Sequence, residues 1–124
     1  MIDVTCALIF KEEKILVAQR SHAQSNSMKW EFPGGKVETG ESSEEAIVRE
    51  IKEELDVEIE VEQQLEAVEH VYLHIHIRLI PFVVKHWKGN FTVKEHHTID
   101  WINVDELAKI DLSEADKKVV QQLL

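Results

Sequence analysis

The sequence predicts an α+β domain, on three observations. Two runs rich in β-branched and aliphatic residues, 2–10 and 14–20, flank a short Lys11-Glu12-Glu13 turn and read as neighbouring strands. A helix with one apolar stripe follows, marked by Ala46, Ile47, Ile51 and Leu55 at helical spacing. Further strand-like runs then lead to a closing helix from about Ser113 to Leu124. A chain of 124 residues with this alternation suits one domain around a real core and is too short for two.

Each element has a local reason. The second strand ends on Arg20, and residues 21–28, SHAQSNSM, are small and polar, which predicts a mobile loop that closes over a substrate. Trp30-Glu31-Phe32 returns to the core just before Pro33-Gly34-Gly35, a turn in which two residues without Cβ let the backbone approach another group closely. Ser42 or Ser43 caps the helix, and Ser42 with Glu45 three residues on makes a capping box. Past the helix, Val57 to Val61 alternates apolar residues with Glu, as a half-exposed strand does. Residues 65–77 and 78–86 read as further strands, with Pro81 marking an edge or a bulge. His74 and His76 fall on one face of the first of these, opposite Leu73, Ile75 and Ile77; with no third ligand nearby they do not read as a metal pair. Trp87-Lys88-Gly89-Asn90 is a turn, 91–94 a short strand, 98–102 a longer one, and Val104–Leu107 a helical turn. The closing helix buries Ala115, Val119, Val120 and Leu123.

Composition narrows the class. Hydrophobic residues make up 44% of the chain, which argues against disorder. No apolar run reaches the length of a membrane span and no basic-then-apolar leader precedes the first strand, so a cytoplasmic protein without a membrane partner is expected. The single cysteine, Cys6, has no internal disulfide partner and reads as a small buried apolar residue. A formal charge of −10 repels nucleic acid polymers. A small phosphate-bearing molecule remains compatible with it, through bridging metal ions and one or two local cations. Monomer and homodimer both stay open.

The helix carries the chemistry. At about 100° per residue, Glu50, Glu53 and Glu54 (i, i+3, i+4) leave one face, beside the apolar stripe and so at the floor of a cleft. Three carboxylates in one turn repel each other, and without compensation at least one holds a proton near neutral pH. A hard divalent cation removes that conflict; Mg²⁺ takes oxygen ligands and shares its shell with substrate phosphates. A solvated acidic face is the plainer reading of the helix alone, and the glycine turn upstream favours the metal. Arg49 lies four residues from both Glu45 and Glu53 and is placed to fix a carboxylate rotamer.

Gly35, five residues, Glu41, seven residues, then Arg49-Glu50-Ile51-Lys52-Glu53-Glu54 resembles the signature of the Nudix hydrolases, and six polar or glycine positions in this register are hard to match by chance. One position departs: Asp56 stands where the family usually has glycine, and Asp tolerates the left-handed turn that glycine serves there. The resemblance implies an α/β/α sandwich with a mixed sheet, and Mg²⁺-dependent hydrolysis (Mn²⁺ substituting) of a nucleoside triphosphate to monophosphate and pyrophosphate. It places the metal on Glu50, Glu54, Glu95 and the Gly35 carbonyl, with Glu53 or Glu50 as general base and Glu41 in support. Glu95, just ahead of the tryptophan-containing strand 98–102, otherwise reads as a loop acid.

Lys36 and Arg20 are the candidates for phosphate contact, Arg20 also for the base. Phe32 is placed for a nucleobase or the core, and Glu31 to orient Lys36 or a water. Asp116 has two readings: the N3 acid of a Ser113 capping box, or, by resemblance to MutT-like enzymes, the residue that reads the base. Ionised, it only accepts hydrogen bonds, which suits the cytosine N4 amine or the N1–H and N2–H₂ edge of guanine. Sanitising of an oxidised guanine nucleotide such as 8-oxo-dGTP is the expected function, with a (d)CTP-type pyrophosphatase next. Tyr72, near the position of a tyrosine in Nudix enzymes of dinucleoside polyphosphates, keeps that substrate open; a nucleotide-binding domain without turnover is the remaining alternative.

Overall fold

The computed structural model describes residues 1–24 and 27–124. The loop expected to close over substrate spans 21–28, so its centre, Ser25 and Asn26, lies outside the described residues. The strands are β1 (Ile2–Lys11), β2 (Lys14–Gln19), β3 (Trp30–Glu31), β4 (Gly34–Lys36), β5 (Glu58–Gln64), β6 (Val68–Tyr72), β7 (Ile75–Lys88) and β8 (Thr98–Asn103). Helix α1 (Ser43–Leu55) separates β4 from β5, and a 3-10 helix at Val104–Lys109 precedes α2 (Glu114–Val120).

The sheet is organised on β1. It runs parallel to β7 from Ile2–Ile77 to Ile9–Val84, and antiparallel to β4 on its other side, where Thr5 faces Gly35. Further along, Phe10 pairs with Ile15 of β2, which in turn carries β3 and β8. One parallel pair within antiparallel ladders makes the sheet mixed, and both its faces are covered. That coverage explains the unbroken apolar run of β1: Cys6 and Leu8 enter the core beneath α2, while Ala7 and Ile9 enter the core beneath α1. The expected α/β/α sandwich is what forms.

Helix α1 follows the predicted chemistry closely. Ser42 accepts from the Glu45 N–H and Glu45 accepts from the Ser42 N–H, completing the capping box. Ala46, Ile47, Ile51 and Leu55 are fully buried against the sheet, where each large aliphatic contributes roughly 1.5–3 kcal/mol. Asp56 ends the helix in the left-handed region, at φ 61°, where glycine was expected to be replaceable by Asp.

Several boundaries differ from the sequence reading; Trp87 and Lys88, expected in a turn, are the end of β7, paired with Ile59 and Glu58. Residues 65–77 and 78–86 are a hairpin, β6 and β7, turned at Leu73 and His74, both at positive φ (43° and 74°). Such a turn normally advertises itself with Gly or Asn, so periodicity alone reads through it. His74 therefore sits in the turn, and His76 on β7 pairs with Glu69 at 3.0 Å, so the two do not share a strand face. Pro81 is in a central strand, at the point where the outer partner of β7 changes from β6 to β5; its carbonyl accepts from the Leu65 N–H at 2.9 Å, and its missing donor falls in that seam. Residues 91–94 form no strand but strap the end of α1, through Thr92 N–H to Leu55 O and Lys94 N–H to Glu54 O. The closing helix stops at Val120 and continues as a 3-10 turn, Gln121–Leu123.

Candidate active site

A cleft of about 500 Å³ opens between β4, the β6–β7 hairpin and the start of α2. One end is built by β4 and α1. Gly34 packs directly on β1: a Cβ there would overlap the Thr5 carbonyl and the Cys6 Cα. A Cβ on Gly35 would instead overlap the Glu50 carboxyl group, so this backbone lies against the acid face of α1. Thr5 Oγ1 donates to the Gly35 carbonyl at 2.9 Å, fixing this backbone to β1.

Arg49 ties this end together. Its guanidinium grips Glu41 through Nη2 at 2.7 Å and Nε at 3.1 Å, and donates to Glu50 (2.9 Å), Glu53 (3.2 Å) and the Lys36 carbonyl (3.0 Å). Glu45, the other expected partner, is taken by the capping box instead. The three acids of the motif are not equivalent. Glu54 is 4% exposed, whereas the Glu53 side chain is 54% exposed, so the face they share tilts from core to solvent. Burial, with the charges of Glu50, Glu31 and Glu95, pushes the Glu54 carboxyl up to about 10. Glu50 is also raised, chiefly by burial, against the opposing pull of Arg49.

A divalent cation fits this donor set. Glu54 Oε2 is buried and has no hydrogen-bond partner among the described residues, and the Glu50 carboxylate and Gly35 backbone beside it offer hard oxygens. Among the described residues no three His, Cys, Asp or Glu side chains are gathered so as to hold a metal ion by themselves. Glu95 is exposed and lies near enough for its charge to act on Glu54.

Glu31 differs from expectation. It does not orient Lys36; it accepts from Arg20 Nη1 at 2.8 Å and pairs with His96 Nε2 at 2.9 Å. His96, 8% exposed and 3.6 Å from Glu54 through the same nitrogen, is a site residue that sequence reasoning passed over. Its only signal was its place beside Glu95 at the entry to β8. Arg20 and the exposed Lys36 both border the cleft, Arg20 on the side of Asp116, whose carboxyl its charge opposes raising.

The other end gathers Cys6, Phe32, Tyr72, Ala115 and Asp116. Phe32 is buried in the core, as one of its two readings has it, and it also borders the cleft. Asp116 is not the acid of a capping box. Ser113 makes no cap bond, and Asp116, 5% exposed, accepts from the Phe32 N–H at 3.2 Å. Burial, then the Glu31 charge, pushes its carboxyl well above the usual carboxylate range, against the opposing pull of the Phe32 amide and Arg20. Tyr72 hydrogen-bonds at the start of α2 rather than standing free in the cleft.

Comparison with known proteins agrees with this geometry. The chain is 33% identical over 128 residues to a CTP pyrophosphohydrolase of Escherichia coli (strain K12), an alignment spanning 100% of this chain and 92% of that protein. It is 31% identical over 123 residues to the 8-oxo-dGTP diphosphatase of the same organism, covering 98% and 95% of the two chains. Among solved structures, the E. coli ORF135 protein superposes with a TM-score of 0.90 at 33% identity, over 99% of this chain and 88% of that one. A MutT NUDIX hydrolase from Burkholderia pseudomallei superposes equally well, with a TM-score of 0.90 at 27% identity over 99% and 98%. No described helix is long and apolar enough to cross a membrane. A family model for the NUDIX domain matches residues 4–122, and with an acid-bearing helix packed on a glycine strand at the mouth of a nucleoside-sized cleft, the chain belongs to the Nudix hydrolases.

Proposed function

We propose that the protein hydrolyses a nucleoside triphosphate between its α- and β-phosphates, releasing nucleoside monophosphate and pyrophosphate. The observation that carries this reading is the buried Glu54 beside Glu50 at one end, with an apolar-walled cleft and the buried Asp116 at the other. Glu50, Glu54, the Gly35 carbonyl and Glu95 are the groups that would hold Mg²⁺, or Mn²⁺ in its place. Bound there, such an ion supplies positive charge to the phosphates and acidifies water. Arg49 keeps Glu50 and Glu53 oriented, and one of these two accepts the proton of the attacking water. Lys36 and Arg20 are the cationic side chains on the cleft wall within reach of a bound nucleotide.

Two bases suit an acid at this position: its oxygens can accept from the N4 amine of cytosine, and equally from the N7–H that 8-oxoguanine presents and guanine does not. We place 8-oxo-dGTP first and (d)CTP second, which are also the substrates in the names of the two E. coli relatives. A dinucleoside polyphosphate loses its supporting residue, since the Tyr72 hydroxyl is engaged by α2. The test is a panel of triphosphates, 8-oxo-dGTP, dGTP, dCTP and dTTP, with Mg²⁺ present and products separated. Pyrophosphate is the expected product, with the highest kcat/KM on 8-oxo-dGTP; orthophosphate release, or binding without turnover, would overturn the reading.

A further inference from the structure

Helix α2 lacks the cap its sequence advertises. Ser113 is the residue type that caps a helix, yet its side chain makes no cap bond, and the amides of the first turn need partners. The Ala115 N–H finds one in another element: it donates to the Tyr72 hydroxyl at 3.0 Å, and the same hydroxyl lies 3.1 Å from Ser113 Oγ. Tyr72 is the last residue of β6, and its ring stands edge-on to His70, centroids 4.4 Å apart. The residue that follows Ala115 is Asp116.

We propose that Tyr72 is a positioning residue for base selection: by capping α2 from β6, its hydroxyl sets where the first turn, and with it Asp116, stands in the cleft. The inference rests on the reading of Asp116 as the base-recognising group. Its geometry is independent of that reading. The first turn is held from three sides, by Ser113 N–H on Trp30 O (2.8 Å), by Phe32 N–H on Asp116 (3.2 Å) and by Tyr72. The first two come from the β3 side; Tyr72 is the tether on the hairpin side at cleft depth. The remaining hydrogen bonds between α2 and this segment, Lys118 to Glu69 O and Gln122 to the Glu66 backbone, are exposed and lie further along the chain. Ala115 and Val119 keep the helix packed on the core without the hydroxyl, but its first turn loses the directional tether on this side, and the acid shifts relative to a base while the phosphates are still held elsewhere.

Tyr72→Phe removes the hydroxyl and keeps the ring that forms the wall. The expected result is a 5- to 10-fold rise in KM for the preferred triphosphate, a smaller change in kcat, and a matching loss of discrimination across the panel, the size of one hydrogen bond. In an Asp116→Ala background the same change should add less than about twofold, because the two act as a unit. A lower Tm with unchanged ratios of kcat/KM would make Tyr72 merely structural and overturn the proposal. An undiminished effect in the Asp116→Ala background would overturn it too, since Tyr72 would then act alone. If Asp116→Ala by itself leaves the ranking of bases in place, the reading of Asp116 fails and the proposal falls with it. If that variant re-ranks the bases and Tyr72→Phe does not, only the role of Tyr72 fails.

Discussion

Between Gly35 and Glu54 one continuous stretch supplies the glycine backbone, Glu41, Arg49 and the acid face of α1, whereas the opposite end of the cleft draws Cys6, Tyr72 and Asp116 from three separate elements and Phe32 from the link between β3 and β4. The first end is held mainly by bonds within its own segment, a self-made capping box and one arginine gripping Glu41, Glu50 and Glu53, with Thr5 of β1 fixing Gly35. The second is held by bonds across the fold, Phe32 to Asp116 and Tyr72 to Ala115. A local construction keeps the reaction constant while the distributed one is free to change its ligand, because a substitution in α2 or β6 leaves α1 untouched.

The largest effect that would test this division is at Glu54. Glu54→Gln imitates the protonated acid that the metal-free protein already holds, so the fold should persist while Mg²⁺-dependent hydrolysis falls by roughly 10²-fold or more. Near-normal turnover in the folded variant would remove the metal assignment. The same residue gives a pH signature. The folded chain binds a proton on Glu54 more tightly than the unfolded chain, whose glutamates titrate near 4.5, so between there and about 10 the metal-free protein loses stability as pH rises. Melting in chelator at pH 6 and pH 9 should show that loss in the parent and a shallower one in Glu54→Gln; equal slopes would mean Glu54 is not the group responsible.

The two glycines of β4 separate structure from chemistry within the local end. Gly34→Ala would drive a methyl into the backbone of β1, which cannot give way, and should unfold or strongly destabilise the protein. Gly35→Ala meets only the end of the Glu50 side chain, so the chain should fold with Glu50 displaced and kcat lowered about 10- to 100-fold. Comparing Tm with kcat for the pair checks this; a Gly35→Ala enzyme of normal kcat would mean the position of Glu50 is unimportant.

How much the sequence reveals follows the same division. The helix, its cap, its left-handed end at Asp56 and its acid face are set by neighbours three and four residues apart, which periodicity reads directly. The strands of the core were readable for the same reason. The Glu31–His96 pair, the Phe32–Asp116 bond and the Tyr72 cap join residues 65, 84 and 43 positions apart, and no local pattern announces them. Asp116 was singled out by resemblance, yet its burial and the upward push on its carboxyl depend on what covers it, which no local pattern states. The Leu73-His74 turn was missed because Leu seldom takes positive φ, and His, though enriched there, marks a turn far less sharply than Gly or Asn.

At the distributed end, Asp116→Ala should change the ratio of kcat/KM between the preferred and the poorest base by about 10-fold, the worth of one good paired contact, and change the rate on a poorly matched triphosphate far less. A uniform loss over all four triphosphates would place Asp116 in the support of Phe32 rather than in recognition, since its oxygen also satisfies that buried amide.

The smallest effect distinguishes the two helix starts. Ser42→Ala opens the capping box of α1 and should lower stability by about 1 kcal/mol, a shift of a few degrees in Tm. Ranking among bases should not move, and kcat should move little, because α1 is also located by Ile47, Ile51 and Leu55 packed on the sheet and by Arg49 bonded to the Lys36 carbonyl. The cap is thus redundant for position though not for stability. At α2 the helix is half the length, its cap comes from β6, and Asp116 lies one residue beyond the capped amide, so there the cap bears on position first. A Ser42→Ala protein that re-ranked the bases would show that the two ends of the cleft communicate through α1, and the separation between them would no longer describe the enzyme.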